Sequence, residues 1–197
     1  MRKILLAVSF VAALFVLAPL TGANAAEESS EPFLGDPDAP ITVIEYASLT
    51  CPHCAHFHNE VLPEIKEKFI DTGKVKLVFR DFPLDRLALA GSVVARCAPE
   101  DRFFPLLGLL FEKQTEWATS DDPLSELVKL ARMAGLSKSE VQACLDDESL
   151  RDSVIMSRMN AEQQYQITGT PTFVVNGKTY VGMTVDQMSE IVGEMES

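Results

Sequence analysis

The chain has 197 residues with 29 acidic against 17 basic side chains, a formal net charge of −12 at pH 7, and no run of Lys or Arg. Such a surface excludes binding to nucleic acid or to an anionic membrane by charge. The length allows one domain with a real core, or a domain carrying an insertion.

The first 25 residues do not read as fold. Arg2 and Lys3 make a basic start, Ile4 to Leu20 an apolar run, and Ala23-Asn24-Ala25 a small-x-small cleavage pattern. Together they predict a secretory signal over residues 1–25, cut near Ala25/Ala26. Loss of Arg2 and Lys3 then moves the charge from −12 to −14. A retained N-terminal anchor is the alternative, because the apolar run is slightly long for a signal core. With no cysteine before Cys51, lipid attachment at this signal is excluded. Export delivers a chain to a compartment where disulfides persist, so the four cysteines, one close pair and one distant, need separate explanations.

Residues 26–40 are rich in Glu, Ser, Asp and Pro, and Gly35-Asp36-Pro37-Asp38-Ala39-Pro40 signals turns rather than an element. The segment is too short for a dimerisation domain. Ile41 to Ala47, β-branched and aromatic, predicts a buried strand. A helix is expected from Pro52 to about Thr72, closed by Gly73, with Pro63 kinking it or splitting it in two. Lys74 to Phe82 predicts a second strand with Val75, Leu77 and Phe79 on one face, which completes a βαβ unit. From Leu84 to about Ile167 the spacing is helical throughout. Leu106, Leu109, Leu110, Lys113 and Trp117 share a face, Asp122-Pro123 reads as an N-cap and first-turn proline, and Ser137 with Glu140 as a capping box. Thr172–Val175 and Lys178–Val181 flank Asn176-Gly177, a two-residue hairpin signal. Thr184 and Gln187 then cap a closing amphipathic helix through Val185, Met188, Ile191 and Val192. The expected fold is α/β, with residues 26–84 and 168–197 building the sheet domain and 85–167 inserted as helices.

Cys51-Pro52-His53-Cys54 stands where the first strand turns into the first helix. With Cys51 at the N-cap and Pro52 at the first helical position, the N–H groups of His53 and Cys54 and the helix dipole favour a thiolate on Cys51. Cys54, one turn on, is expected to be less exposed and to close a disulfide with an exposed Cys51 sulfur. A zinc site wants four ligands, and no second Cys-x-x-Cys exists; the three histidines, His53, His56 and His58, crowd the first turns of one helix. The redox reading therefore prevails and calls for neither a metal nor a cofactor. His53 is placed to stabilise the Cys51 thiolate, while His56 and His58 read as ordinary helix-surface residues. Glu45 shares the parity of Val43 and Ala47. If that face is buried, its carboxyl lies beneath the dithiol with a raised pKa, suited to relaying a proton to or from Cys54; if not, it is a charge at a solvated sheet edge. Lys76 is a candidate for its cationic partner. Gly169-Thr170-Pro171-Thr172-Phe173 is either an ordinary strand start or a cis-proline loop beside the sulfurs, against which an extended substrate chain pairs as an extra strand.

These residues resemble the DsbA family of thioredoxin-fold thiol–disulfide oxidoreductases: Cys51-Pro52-His53-Cys54 after a strand carrying Glu45, a helical insertion, and Gly169-Thr170-Pro171-Thr172-Phe173 before a hairpin. The segments 35–40 and Arg80-Asp81-Phe82-Pro83-Leu84 are similar to that family's flanking segments, so the likeness spans nearly the whole mature chain. It implies a thioredoxin fold, a central mixed sheet flanked by helices, and a periplasmic location. It also implies oxidation of newly exported proteins with free cysteines, and reoxidation by a quinone-linked DsbB-type membrane partner. Thr170 departs from the valine familiar before the cis-proline in DsbA and is common in isomerase-type relatives. Cys97 and Cys144 resemble a subgroup with a second, structural disulfide. By helical spacing Cys97 falls with Val93 and Val94, and Cys144 with Val141 and Leu145, so both thiols are expected to be buried. The expectation is thus an oxidase with catalytic Cys51, Cys54, His53 and Glu45, and with Thr170 and Pro171 shaping the docking surface. A reductase or isomerase kept reduced, and a non-enzymatic holdase or metal-binding carrier using the same cleft, are the alternatives.

Overall fold

The computed structural model describes residues 31–196, with the side chain of Glu196 left aside, so the expected signal and its cleavage site lie outside the described residues. Five strands form one mixed sheet in the order β1-β3-β2-β4-β5: β1 (Phe33–Leu34), β2 (Ile41–Ala47), β3 (Val75–Asp81), β4 (Thr172–Val175) and β5 (Lys178–Val181). β2 is central. It runs parallel to β3, with Glu45 opposite Phe79, and antiparallel to β4, with Glu45 opposite Phe173. The sheet is the thioredoxin-like mixed sheet that the resemblance implied. The turn-rich segment before β2, expected to hold no element, contributes β1, whose two residues pair antiparallel with Val78 and Leu77 of β3.

The first helix runs without a break from Pro52 to Ile70 as α1 (Pro52–His56), a π-helical turn over Phe57–Val61, α2 (Leu62–Ile65) and a second π-helical turn over Lys66–Ile70. Pro63 does not split it. The proline has no N–H to give, and the π-turn just before it shifts the register so that the Leu62 N–H reaches the Phe57 carbonyl. Gly73, with φ +76°, follows the helix end as expected of a glycine there.

Six helices separate β3 from β4: α3 (Arg86–Arg96), α4 (Glu100–Glu112), α5 (Gln114–Ala118), α6 (Pro123–Met133), α7 (Lys138–Asp146) and α8 (Glu148–Tyr165). Their boundaries follow local chemistry. Asp85, Asp122 and Asp147 accept from backbone N–H groups as N-caps of α3, α6 and α8, and Ser137 and Glu140 exchange both bonds of a capping box. Asn176 and Gly177, with φ of 50° and 78°, turn the β4–β5 hairpin. Thr184 and Gln187 cap α9 (Val185–Glu196), the Gln187 side chain accepting at 2.9 Å and the Thr184 hydroxyl at 3.2 Å.

One face of the sheet, through Ile41, Val43, Leu77, Phe173 and Val175, packs under the first helix and α9. The other, through Tyr46 and Val174, meets Ala161 of α8 and Ile167. A further cluster draws Ala47, Leu49, Cys51, Cys54 and Phe79 against Phe103, Leu106, Leu110, Trp117 and Leu127 of the inserted helices. The dithiol thus belongs to the interface between sheet and insert. Asp81, 2% exposed, accepts from Arg96 Nε at 2.6 Å and so ties the end of β3 to α3.

Candidate active site

Cys51 is the N-cap of α1, extended at φ −83° and ψ 119°, and Pro52 follows at the first helical position. The Cys51 carbonyl accepts from the N–H groups of Cys54 and Ala55, both at 3.1 Å, so the cysteine backbone is the helix's first anchor. Cys51 and Cys54 are free thiols. Cys54 is fully buried, the less exposed of the two, but Cys51 is not the exposed sulfur the motif suggested: the residue keeps only 6% of its surface. The cover comes from residues far along the chain. The Cys51 thiol donates to the Thr170 carbonyl at 3.3 Å.

The two sulfurs are driven apart in acidity. The Cys51 pKa falls from 9.0 to about 5, above all because the Cys54 thiol donates to its sulfur. Burial opposes that fall, while the Thr170 hydroxyl and the backbone N–H groups of Cys54 and His53 assist it. Cys54 moves the other way, raised far above an ordinary thiol by burial first, then by its bond to Cys51, with the Glu45 charge adding to the rise. The helix terminus contributes as the motif predicted, but the neighbouring thiol contributes more. The Thr170 Oγ1 is buried with no hydrogen-bond partner. A Cys51 thiolate offers that hydroxyl an acceptor, which is the sense in which Thr170 lowers the Cys51 pKa. The His53 side chain is exposed, as are those of Pro52 and His56.

Glu45 is fully buried on the sheet face beneath the first helix. Its partner is His58, whose Nε2 lies 3.0 Å from Oε1 and 3.1 Å from Oε2. The side chain of His58 is 4% exposed, which corrects its reading as a surface residue. It stands one helical turn after Cys54, on the side of the helix that faces the sheet. Its ring stacks on Phe111 of α4 at 4.1 Å and meets Phe57 and Phe79 edge-on. Lys76 is engaged elsewhere: its Nζ donates to the Pro37 carbonyl at 3.4 Å and lies over the Phe33 ring. A buried carboxyl without a hydrogen-bond partner is costly, and here an imidazole set between aromatic rings supplies one.

The Thr170–Pro171 peptide bond is cis. The loop is held on both sides, by the Gly182 N–H on the Pro171 carbonyl at 2.9 Å and by the Thr172 hydroxyl on the Gly169 carbonyl at 2.8 Å. Gln114 of α5, which no local signal marked, donates through Nε2 to the carbonyls of Leu49 and Cys51 at 2.9 and 3.0 Å. Cys97, the C-cap of α3, is bonded to Cys144 of α7. Both are half-buried at the rim of the insert's core rather than buried within it, because each stands near a helix end. Among the described residues no group of three or more His, Cys, Asp or Glu is arranged to hold a metal ion, and no helix is long and apolar enough to cross a membrane.

A thioredoxin family model matches residues 27–194. Disulfide bond formation protein D of Bacillus subtilis is 34% identical over 75% of this chain and 68% of its own length. A Rickettsia bellii protein with the provisional name protein-disulfide oxidoreductase is 31% identical over 84% of this chain. This chain spans 64% of that relative, a little under two thirds. Among solved structures, Wolbachia pipientis alpha-DsbA1 superposes with a TM-score of 0.77 at 31% identity, covering 84% of this chain and 90% of its own. BdbD of Bacillus subtilis gives 0.75 at 27% identity over 84% and 92%. With an acidic sulfur at a helix start, a hidden one behind it and a proline loop across both, this chain belongs to the thioredoxin family, among its DsbA-like members.

Proposed function

We propose that the protein is an exported dithiol oxidase, which passes the Cys51–Cys54 disulfide to folding proteins that carry free cysteines. The observation that carries this reading is the opposed acidity of the two sulfurs, Cys51 lowered to about 5 and Cys54 raised. A thiolate stable at neutral pH favours the reduced enzyme over its disulfide, so the disulfide is readily given away. In the forward reaction a substrate thiolate attacks Cys51 Sγ. A substrate–Cys51 bond forms, the Cys51–Cys54 bond breaks, and its electron pair goes to Cys54. That buried sulfur takes up a proton, which reaches it through the hydrogen-bonded Glu45–His58 pair. A second substrate thiolate then attacks the substrate sulfur of the mixed disulfide and expels Cys51 as a stable thiolate. His53 supports that thiolate from the exposed side, and Thr170 and Pro171 form the surface on which the substrate backbone lies.

The same reading places the protein in the periplasm, where its Cys97–Cys144 bond persists, and assigns reoxidation to a DsbB-like, quinone-linked membrane oxidase. The experiment is the reduction potential of the Cys51/Cys54 couple against glutathione, together with transfer of disulfides to a reduced client. The expected potential lies well above that of thioredoxin, at about −270 mV. A thioredoxin-like potential, or failure to oxidise the client, refutes the reading and favours the reductase or isomerase alternative.

A further inference from the structure

We propose that Gln114, carried by the helical insert, is a positioning residue that sets the acidity of Cys51; the inference rests on the oxidase reading above. Each residue of the turn leading into the motif is held by the insert or the chain entering it. Ser48 Oγ accepts from the Leu84 N–H at 3.3 Å, and the Thr50 hydroxyl donates to Asp85 at 2.6 Å. Leu49 packs closely over Gly91 of α3: a Cβ there would lie 3.0 Å from Leu49 Cδ1 and 3.2 Å from Trp117, tighter than ordinary contact. Gln114, 7% exposed, completes the set by giving its amide hydrogens to the carbonyls of Leu49 and of Cys51 itself.

That second bond bears on the chemistry in two ways of one sign. A donor on the Cys51 carbonyl draws off negative potential close to the sulfur. It also holds the Cys51–Pro52 peptide plane, which keeps Sγ facing the N–H groups of His53 and Cys54 that stabilise its anion. Removing the donor must raise the Cys51 pKa. A role confined to satisfying buried carbonyls would lower stability and leave that pKa in place.

The test is Gln114→Met in the full chain, similar in reach but without a donor, read by thiolate absorbance of the reduced protein and by equilibrium with glutathione. The expected result is a rise of about one unit in the Cys51 pKa, and about a tenfold shift of the glutathione equilibrium toward the protein disulfide. A Cys51 pKa unchanged from a wild type near 5 overturns this inference alone, whatever stability is lost. A wild-type Cys51 that titrates like a free thiol overturns the oxidase reading and this inference with it. Should Gln114→Met not fold, Gln114→Asn, whose amide falls short of both carbonyls, is read for the same outcomes.

Discussion

The opposed sulfurs make the stability of the reduced protein a steep function of pH, and the oxidised protein supplies its own control. Oxidation removes both titrating thiols while leaving the other ionisable groups in place. The difference in unfolding free energy between the two redox forms therefore isolates Cys51 and Cys54. Cys51 is lowered in the fold from 9.0 to about 5. Below about pH 5 it is protonated in both folded and unfolded chains and contributes nothing; above, the unfolded chain binds the extra proton, so stability rises with pH. Each unit is worth about 1.4 kcal/mol, which gives the reduced form about 3 kcal/mol at pH 7 relative to acid and about 4 kcal/mol at pH 8. With only 6% of the residue exposed, solvent screening takes little from these values. Cys54, raised in the fold, has the opposite sign: its contribution is intact below its unfolded value and is lost above it. The clean window thus closes near pH 8. Urea unfolding of both forms between about pH 4 and pH 8 measures the gap. A gap that stays flat across this range, or widens toward acid, refutes the assignment of the acidic sulfur.

Glu45→Gln keeps shape but removes the acid from the Glu45–His58 pair, and is expected to slow protonation of departing Cys54 by about a hundredfold; an unchanged rate of mixed-disulfide formation in stopped flow rejects the relay. Thr170→Val removes the hydroxyl that assists the Cys51 anion, and should raise the Cys51 pKa by about one unit in an absorbance titration. Cys97→Ala with Cys144→Ala opens a bond spanning 47 positions. Chain entropy predicts a loss of about 4 kcal/mol in urea unfolding, with thiol exchange at Cys51 retained; a loss below about 1 kcal/mol speaks against a structural role. Gly91→Ala places a methyl 3.0 Å from Leu49, and overpacking there should cost about 1–3 kcal/mol by thermal unfolding.

What the sequence revealed of the fold depends on how locally each element is specified. β2 and β3 are seven residues each with core-facing alternation, and the hairpin turn is written in Asn176-Gly177, so all three were legible. The helix caps at Asp122 and Ser137 are contacts over three residues, and spacing alone reveals them. β1 is two residues between turn signals, too short for any period, and exists only because β3 offers it an edge. Pro63 read as a breaker because its missing N–H is a local fact. Its accommodation depends on a π-turn that propensity does not encode.

The site divides the same way, and the division has a chemical meaning. The Cys-x-x-Cys motif announces which atoms react, since strand, cysteine, proline and helix are contiguous. Parity groups Glu45 with Val43 and Ala47 but reveals neither that this face is buried nor what faces Glu45. The strand neighbour Lys76 was the natural guess, whereas the partner sits on the helix above, four residues after Cys54. Gln114 acts across 63 positions with nothing near it to hint at the sulfur it serves, whereas Thr170, which acts across 119, is flagged by the proline that follows it. Yet these distant groups hold Cys51, cover it and adjust its acidity, and they belong to the insert and to the proline loop. A shared motif with different inserts can therefore carry different redox poise. Grafting Cys51-Pro52-His53-Cys54 alone onto another thioredoxin fold should therefore transfer the nucleophile without the full depression of its pKa. A graft that titrates near pH 5 would show that the motif suffices and that Gln114 and Thr170 are bystanders.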